Sequence, residues 1–367
     1  MDETLEVYRA GEILEGWEEV RVARSVEDLA GTFSLLFAEV HPDDPLERAL
    51  VRGEELEIRV AGEVVLRGVV VRRVKAYDGS TNAVTVTGRD VLGDLVEASA
   101  SHEPGEWNGA RIATIARALL EPFPGLRFRE DLSDRNLGSV TKFALQTGET
   151  AFSALERLAR MRGFLLSSDL AGGLIIGSPG GAVAPVALER GVNIEAGSVE
   201  EDESGRFSRY IIHGAGPTPA YWDVGLGPGQ SFRVEARDAG ASRQRTLVIH
   251  AEDAAGEAEL RTRVDIEASV RAARALRIVY ELPGWTLDGH LWQPGERVPV
   301  WDPILEIGGP GGSPVDMLVG SVDWSRSATG GSRTVLGLFR PGAFTPEPVT
   351  SPKGKKKASE AVELWLE

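Results

Sequence analysis

The sequence predicts a mainly β protein in which two β-rich, barrel-like modules flank a small α+β module. Three observations carry this. Apolar residues alternate with polar ones at period two in short runs, as in Phe33, Leu35 and Phe37 or Leu56, Ile58 and Val60. Glycine (43) and proline (20) are abundant in 367 residues, which suits many short strands joined by tight turns. Near residue 100 the period changes to that of a helix, at Ile112, Ile115, Ala116, Leu119 and Leu120, and it returns to period two beyond about 180.

The first module spans 1–100. Val20, Val22 and Ala23 lead into Ser25-Val26-Glu27-Asp28, where Ser25 as N-cap predicts a short helical turn around 26–30, stopped by Gly31. Strands follow at 33–37 and 56–60. Ala61-Gly62 suits a tight hairpin turn, with Val64 and Leu66 returning, Val69 to Val74 continuing, and Val84 and Val86 closing the set after Asp78-Gly79-Ser80. About five strands with short connections point to a small closed barrel or sandwich.

The second module spans 101–179. Its first helix ends at Pro122 and Pro124, and Leu126 and Phe128 start a short strand. A second helix over 149–161 turns Phe152, Leu155, Leu158 and Ala159 inward, with Gly163 as its C′ residue. Residues 164–167 and 174–176 pair as a hairpin through Ala171-Gly172-Gly173.

The third module spans 180–343, after the flexible stretch 178–185. Strands at 210–213, 231–234 and 246–249 precede a helical insertion near 253–275. There Glu257 with Arg261, Glu259 with Arg263 and Glu267 with Arg271 form i,i+4 pairs on a solvated face. Strands at 277–282, 298–301, 305–307, 317–324 and 334–338 complete the module. Residues 344–367 form a Pro- and Lys-rich linker and a terminal docking segment with Leu364, Trp365 and Leu366 as its contact residues. A helix of that length is marginal alone, so it orders against a partner.

No cysteine is present, which removes disulfides, thiolate nucleophiles and Cys-based metal sites. The net charge of −16 disfavours tight binding to nucleic acid and suits a wall past which DNA slides. The N-terminus lacks the apolar segment of a secretory signal, and no run reaches the roughly 20 apolar residues of a membrane span. Synthesis in the cytoplasm and no membrane insertion are expected.

Catalytic motifs are missing. The five histidines (41, 102, 213, 250 and 290) show no helical zinc spacing, and no GxSxG elbow occurs. The Gly-rich segments 225–229 and 308–312 lack the Lys-Ser/Thr of a phosphate loop. The acidic clusters at 43–44, 54–55 and 200–203 read as solvated loops, and the lysines at 353 and 355–357 as a tether. Eight tryptophans are dispersed along the chain, which favours packing and assembly surfaces over one binding cleft. No enzyme activity, no cofactor and no metal are expected.

Several segments together resemble a known family. The opening, with Gly11, Gly16-Trp17 and VARSVEDLAGTFSL, the segment VTVTGRDVLGDLVEASA (84–100), and GHLWQPGERVPVWDPIL followed by MLVGSVDWS are similar, in order and spacing, to the P proteins of Mu-type phages, the hubs of contractile tail baseplates. The resemblance covers the chain to about residue 340. It implies a virion structural protein of the tail baseplate, a homotrimeric ring whose two barrel-like modules per subunit adapt a sixfold tube to a threefold spike. The implied partners are a central spike protein below, tail-tube or tube-initiator proteins above, and baseplate wedge proteins. DNA is implied only as cargo in the lumen. The family supplies no catalytic residues, and its Trp and Arg-Asp positions are expected to determine the fold. Two other readings are a tail-associated cell-wall or polysaccharide hydrolase on a β scaffold, and the core of a type VI secretion spike.

Overall fold

The strands of the first and third modules run together into one sheet. The computed structural model describes residues 4–38, 50–78, 82–131, 137–162, 164–177, 181–215, 231–251 and 257–344. In the N-terminal module these form β1 (Leu5–Arg9), β2 (Glu12–Ile13), β3 (Glu19–Ser25), β4 (Thr32–Ala38), β5 (Glu55–Val60), β6 (Glu63–Tyr77) and β7 (Asn82–Asp90), followed by α1 (Gly93–Glu97). The middle module holds β8 (Glu106–Arg111), α2 (Ile112–Leu120), β9 (Arg127–Asp131), β10 (Ser139–Ala144), α3 (Ala151–Arg162), β11 (Leu165–Ser168) and β12 (Gly173–Gly177). Beyond it come β13 (Leu188–Glu189), β14 (Ala196–Glu201), β15 (Arg209–Ala215), β16 (Ser231–Arg237), β17 (Thr246–His250) and α4 (Glu257–Arg274). The chain then forms β18 (Leu276–Pro283), β19 (Thr286–Leu287), β20 (His290–Leu291), β21 (Arg297–Trp301), β22 (Val315–Ser327) and β23 (Gly331–Phe339).

The main sheet has the order β14-β18-β23-β22-β3-β4-β7-β6-β5-β1-β2, with β21 pairing both β22 and β13. It is open, and the expected closed barrels are absent among the described residues. The reason lies in β22, which is thirteen residues long. One edge of it serves β21 over its first residues (Val315↔Val300 to Leu318↔Arg297) and β3 over its last (Ser321↔Ser25 to Ser327↔Glu19). An edge already taken by the other module is not available to close its own. A single core follows, in which Val20, Val22 and Phe33 pack in one cluster with Trp285, Trp324 and Leu336.

Most alternating strands bury the residues the pattern selects: Phe33, Leu35 and Phe37, and Leu56, Ile58 and Val60, all face the core. At β6 the alternation slips. A bulge at Ile58/Arg59 buries the adjacent pair Val65 and Leu66 and leaves Val64 half-buried, where Val64 and Leu66 were expected to share a face. The expected helical turn at 26–30 is a bend. The Ser25 hydroxyl accepts from the Glu27 N–H (2.9 Å), a local turn bond, and the Val26 N–H donates across to the Gly320 carbonyl (2.8 Å).

The middle module has its own core of Ile112, Ile115, Ala116 and Leu119 from α2, Ala154, Leu155, Leu158 and Ala159 from α3, and Leu174 and Ile176 from β12. Thr150 caps α3, its hydroxyl accepting from the Ser153 N–H (3.1 Å), while Phe152 is only half-buried. β8 precedes α2, a strand the sequence reading did not include. Gly163 lies outside the described residues. β9 pairs parallel to β12, and β11 pairs antiparallel to it.

The excursion within 180–343 is larger than one helix. β16, β15 and β17 form a separate three-stranded sheet, and α4 covers it with Leu260 and Val264 against Tyr210, Ile212 and Val234. The Glu257–Arg261 (2.6 Å) and Glu267–Arg271 (3.2 Å) pairs lie along the helix as expected. On the sheet, Glu235 faces three guanidinium groups, those of Arg209 (2.7 Å), Arg233 (3.2 Å) and Arg237 (3.1 Å). The Arg209 hydrogen bond is the largest of the influences that bring its carboxyl down to about 2. A depressed carboxylate adds stability above its unfolded value and loses it as pH falls through the folded one. Glu235→Gln is therefore expected to lower the melting temperature at pH 6, with the gap to the parent shrinking below pH 4 and closing near pH 2. Thermal scans across that range check this.

Candidate assembly surface and the joint behind it

The Gly-Arg-Asp segment at 88–90 builds a joint between modules. β7 runs between β4 and β6, and at Gly88 a Cβ would stand 2.2 Å from the Val69 carbonyl oxygen and 2.3 Å from the Phe33 ring, so only glycine fits. Arg89 points outward and pairs with Glu97. Asp90 turns inward: its Oδ1 accepts from the Leu92 N–H (3.0 Å) ahead of α1, and its Oδ2 lies 3.2 Å from Nη1 of Arg24. Both side chains are buried, at 5% exposure for Arg24 and 2% for Asp90.

Arg24 donates to the Val65 carbonyl (2.9 Å), to the Ser168 hydroxyl and to the Asp169 carbonyl (3.1 Å). Asp169 in turn accepts from the N–H groups of Ala171 (3.0 Å) and Gly173 (2.6 Å) and so shapes the β11–β12 turn. Gly172 sits in that turn at φ +83°, and a Cβ there would meet Val91 at 2.3 Å. One guanidinium thus ties β3, β6 and β7 of the main sheet to the middle module. Burial pushes the Asp90 carboxyl up while Arg24 draws it back, and burial lowers the Arg24 guanidinium. Sequence reasoning missed Arg24 as the partner. The signal was present: Val20, Val22 and Arg24 share the core-facing parity of β3.

Two clefts flank the joint. One, of about 570 Å³, is lined by Arg24, Asp169, Arg129, Gln293 and Glu296 among others. Two of its carboxylates, the half-buried Asp169 and the buried Glu296, are engaged by the protein. Besides Asp169, Glu296 accepts from the Gln293 N–H (2.9 Å) and lies 3.1 Å from His290 Nε2. Burial, the largest influence, holds the Glu296 carboxyl above the usual range. The second cleft, of about 630 Å³, runs between α3 and α4 and is lined by Phe152, Phe164, Ile266, Val270 and Phe344 among others. Among the described residues no group of three or more potential metal ligands occurs.

The residues picked from the sequence for docking, Leu364, Trp365 and Leu366, lie outside the described residues, as do the lysines at 353–357, Trp222 and His41. Among the tryptophans, Trp285, Trp292 and Trp324 are fully buried, so these three belong to the core. His213 and His250 stack with centroids 5.5 Å apart on β15 and β17. Of the nine large apolar side chains exposed among the described residues, three lie on one strand: Val71, Val74 and Tyr77 of β6 are 55%, 38% and 87% exposed.

Comparison with known proteins matches three parts of the chain, the first two adjoining and the third beginning at residue 256. Residues 4–90 match "Mu phage baseplate assembly protein GpP-like, N-terminal", residues 92–178 match "Baseplate hub protein gp44-like, second domain", and residues 256–347 match "Mu phage baseplate assembly protein GpP, fourth domain". Baseplate hub protein gp44 of Escherichia phage Mu is 31% identical over 304 residues, covering 82% of this chain and 79% of gp44. The chain belongs to the Mu-type baseplate hub family. Its role is that of a structural hub in the virion tail baseplate. Among solved structures, the 43 kDa tail protein of prophage MuSo2 from Shewanella oneidensis superposes with a TM-score of 0.79 at 27% identity, covering 93% of this chain and 99% of that one. The tail protein from Neisseria meningitidis MC58 shares the fold, with a TM-score of 0.77 at 21% identity over 95% of this chain and 99% of that one. For this hub protein the Gly-Arg-Asp segment is a structural joint. No helix among the described residues is long and apolar enough to cross a membrane.

Proposed function

We propose that this hub works as a homotrimeric ring that adapts a sixfold tail tube above to a threefold central spike below, and that its role is geometric, with no bond made or broken. The reading is supported chiefly by the continuous sheet, in which the strands of 1–100 and of 180–343 meet at the β3–β22 pair. Each copy thereby offers two β-rich units held rigidly side by side, and three copies offer six. In this reading 1–100 and 180–343 form the wall, 101–179 braces it through the Arg24 joint, and 344–367 docks on a partner through Leu364, Trp365 and Leu366. Baseplate wedge proteins contact the ring from outside. DNA passes the lumen only as cargo, and the net charge of −16 per copy keeps phosphate from adhering.

Native mass spectrometry at micromolar concentration tests the ring: three copies are expected, and a monomer alone overturns it. A chain lacking 352–367 is expected to remain trimeric and to fail in restoring tails to a hub-deficient phage. Full restoration would remove the docking role.

A further inference from the structure

β6 outruns its neighbour. Its pairing with β5 ends at Glu55↔Val69, the backbones of Gly53 and Glu54 bond to Val70, and a bulge follows between Val70 and Arg72. From there to Tyr77 it pairs with β7 on one side, and no strand lies on the other side among the described residues. This arm carries the exposed Val71, Val74 and Tyr77 together with Arg72, Arg73 and Lys75. An exposed apolar strand with an open edge is a template for another strand.

A second open edge lies far away in the same sheet. β14 ends the strand order, and among the described residues its ladder runs to β18 alone. At its two ends the Glu195 N–H and the Asp202 N–H also turn toward that side, to the carbonyls of Glu281 and Ala275. Its sequence, Ala-Gly-Ser-Val-Glu-Glu, ends in two acidic residues, opposite in sign to the basic residues of the arm. Glu200 and Glu201 are exposed and take no ion-pair partner among the described residues.

We infer that the β6 arm of one copy pairs with the β14 edge of the next, carrying the sheet from subunit to subunit. This rests on the oligomeric reading above and specifies its contact. The two edges of one chain are seven strand spacings apart, about 34 Å along the sheet at roughly 4.8 Å per step. They do not meet within one copy, and because they are different surfaces the contact is head-to-tail. Such contacts close into rings when the rotation permits. An antiparallel register that sets Val74 opposite Val199 also sets Arg72 opposite Glu201. It places an apolar pair and an opposite-charge pair two positions apart, and cross-strand pairs of these kinds stabilise sheets.

The absence of cysteine makes the test clean. Val74→Cys is combined in turn with Ser198→Cys, Val199→Cys and Glu200→Cys, and each full-length double variant is oxidised and run without reductant. A disulfide needs Cα atoms within about 7 Å. The expected result is a ladder ending at covalent trimer, strongest with Val199→Cys, while single-cysteine chains give no ladder. Independently, Glu201→Lys is expected to shift the population toward monomer at low salt, and adding Arg72→Glu to restore trimer. If the parent chain is trimeric by native mass spectrometry but no pair cross-links and the charge swap restores nothing, the edge pairing is wrong and the trimer stands. A parent chain that is monomeric at every concentration sinks both.

Discussion

Asp90→Ala lowers the unfolding free energy by about 3–5 kcal/mol, the expected cost of leaving one member of a buried ion pair without its partner. The loss arises at the Arg24 guanidinium, which is 5% exposed and keeps its bonds to Val65, Ser168 and Asp169 while losing the larger of the two carboxylate charges that act on it, that of Asp169 remaining. Because Arg24 spans two modules, the damage is expected to appear as unfolding of the middle module ahead of the main sheet. Urea denaturation followed by far-UV circular dichroism and by limited proteolysis checks this. The double variant Arg24→Met/Asp90→Leu is expected to recover part of the loss, since a well-packed apolar pair of similar volume often replaces a buried ion pair at little cost. Recovery stays incomplete because the carbonyls of Val65 and Asp169 lose their donor. A midpoint for Asp90→Ala equal to that of the parent would show that the pair contributes nothing to the joint.

Trp324→Ala is expected to cost about 3–5 kcal/mol, the range for deleting a large buried aromatic side chain. Trp324 lies on β22 opposite Val22 of β3 and Thr334 of β23, so its ring fills the seam where the N- and C-terminal strands meet. Its indole N–H is buried with no hydrogen-bond acceptor among the described residues. Trp324→Phe removes that unsatisfied group while keeping most of the ring, and is expected to cost less than half as much as Trp324→Ala. Calorimetry on the three proteins separates the packing loss from the polar one. Equal losses for the phenylalanine and alanine variants would mean that the seam depends on the indole itself.

Much of the fold was legible along the chain because each strand and helix of the core obeys its own period. The face of α2 was named residue by residue, since an amphipathic helix declares its buried stripe through spacing alone. The strand at 33–37 was equally plain. Misreadings cluster where a distant segment intervenes. Val65 is buried through a bulge set by the β5 register. The 26–30 turn is pulled out of helical form by the bond from Val26 to Gly320, almost 300 residues along the chain. The Gly-Arg-Asp motif was visible, but its chemistry was not. Asp90 is part of a joint only because Arg24, its partner from β3, is also held by Ser168 and Asp169 from the β11–β12 segment.

The sequence by itself determined a mainly β chain without thiol chemistry, with a helical middle module and the ordered motifs of a Mu-type hub, because period, composition and motif order are local or linear properties. Only the tertiary structure decided that the two β-rich modules form one open sheet. That outcome depends on which strand occupies each edge of β22, and edge occupancy is a matter of long-range backbone pairing that no local pattern encodes.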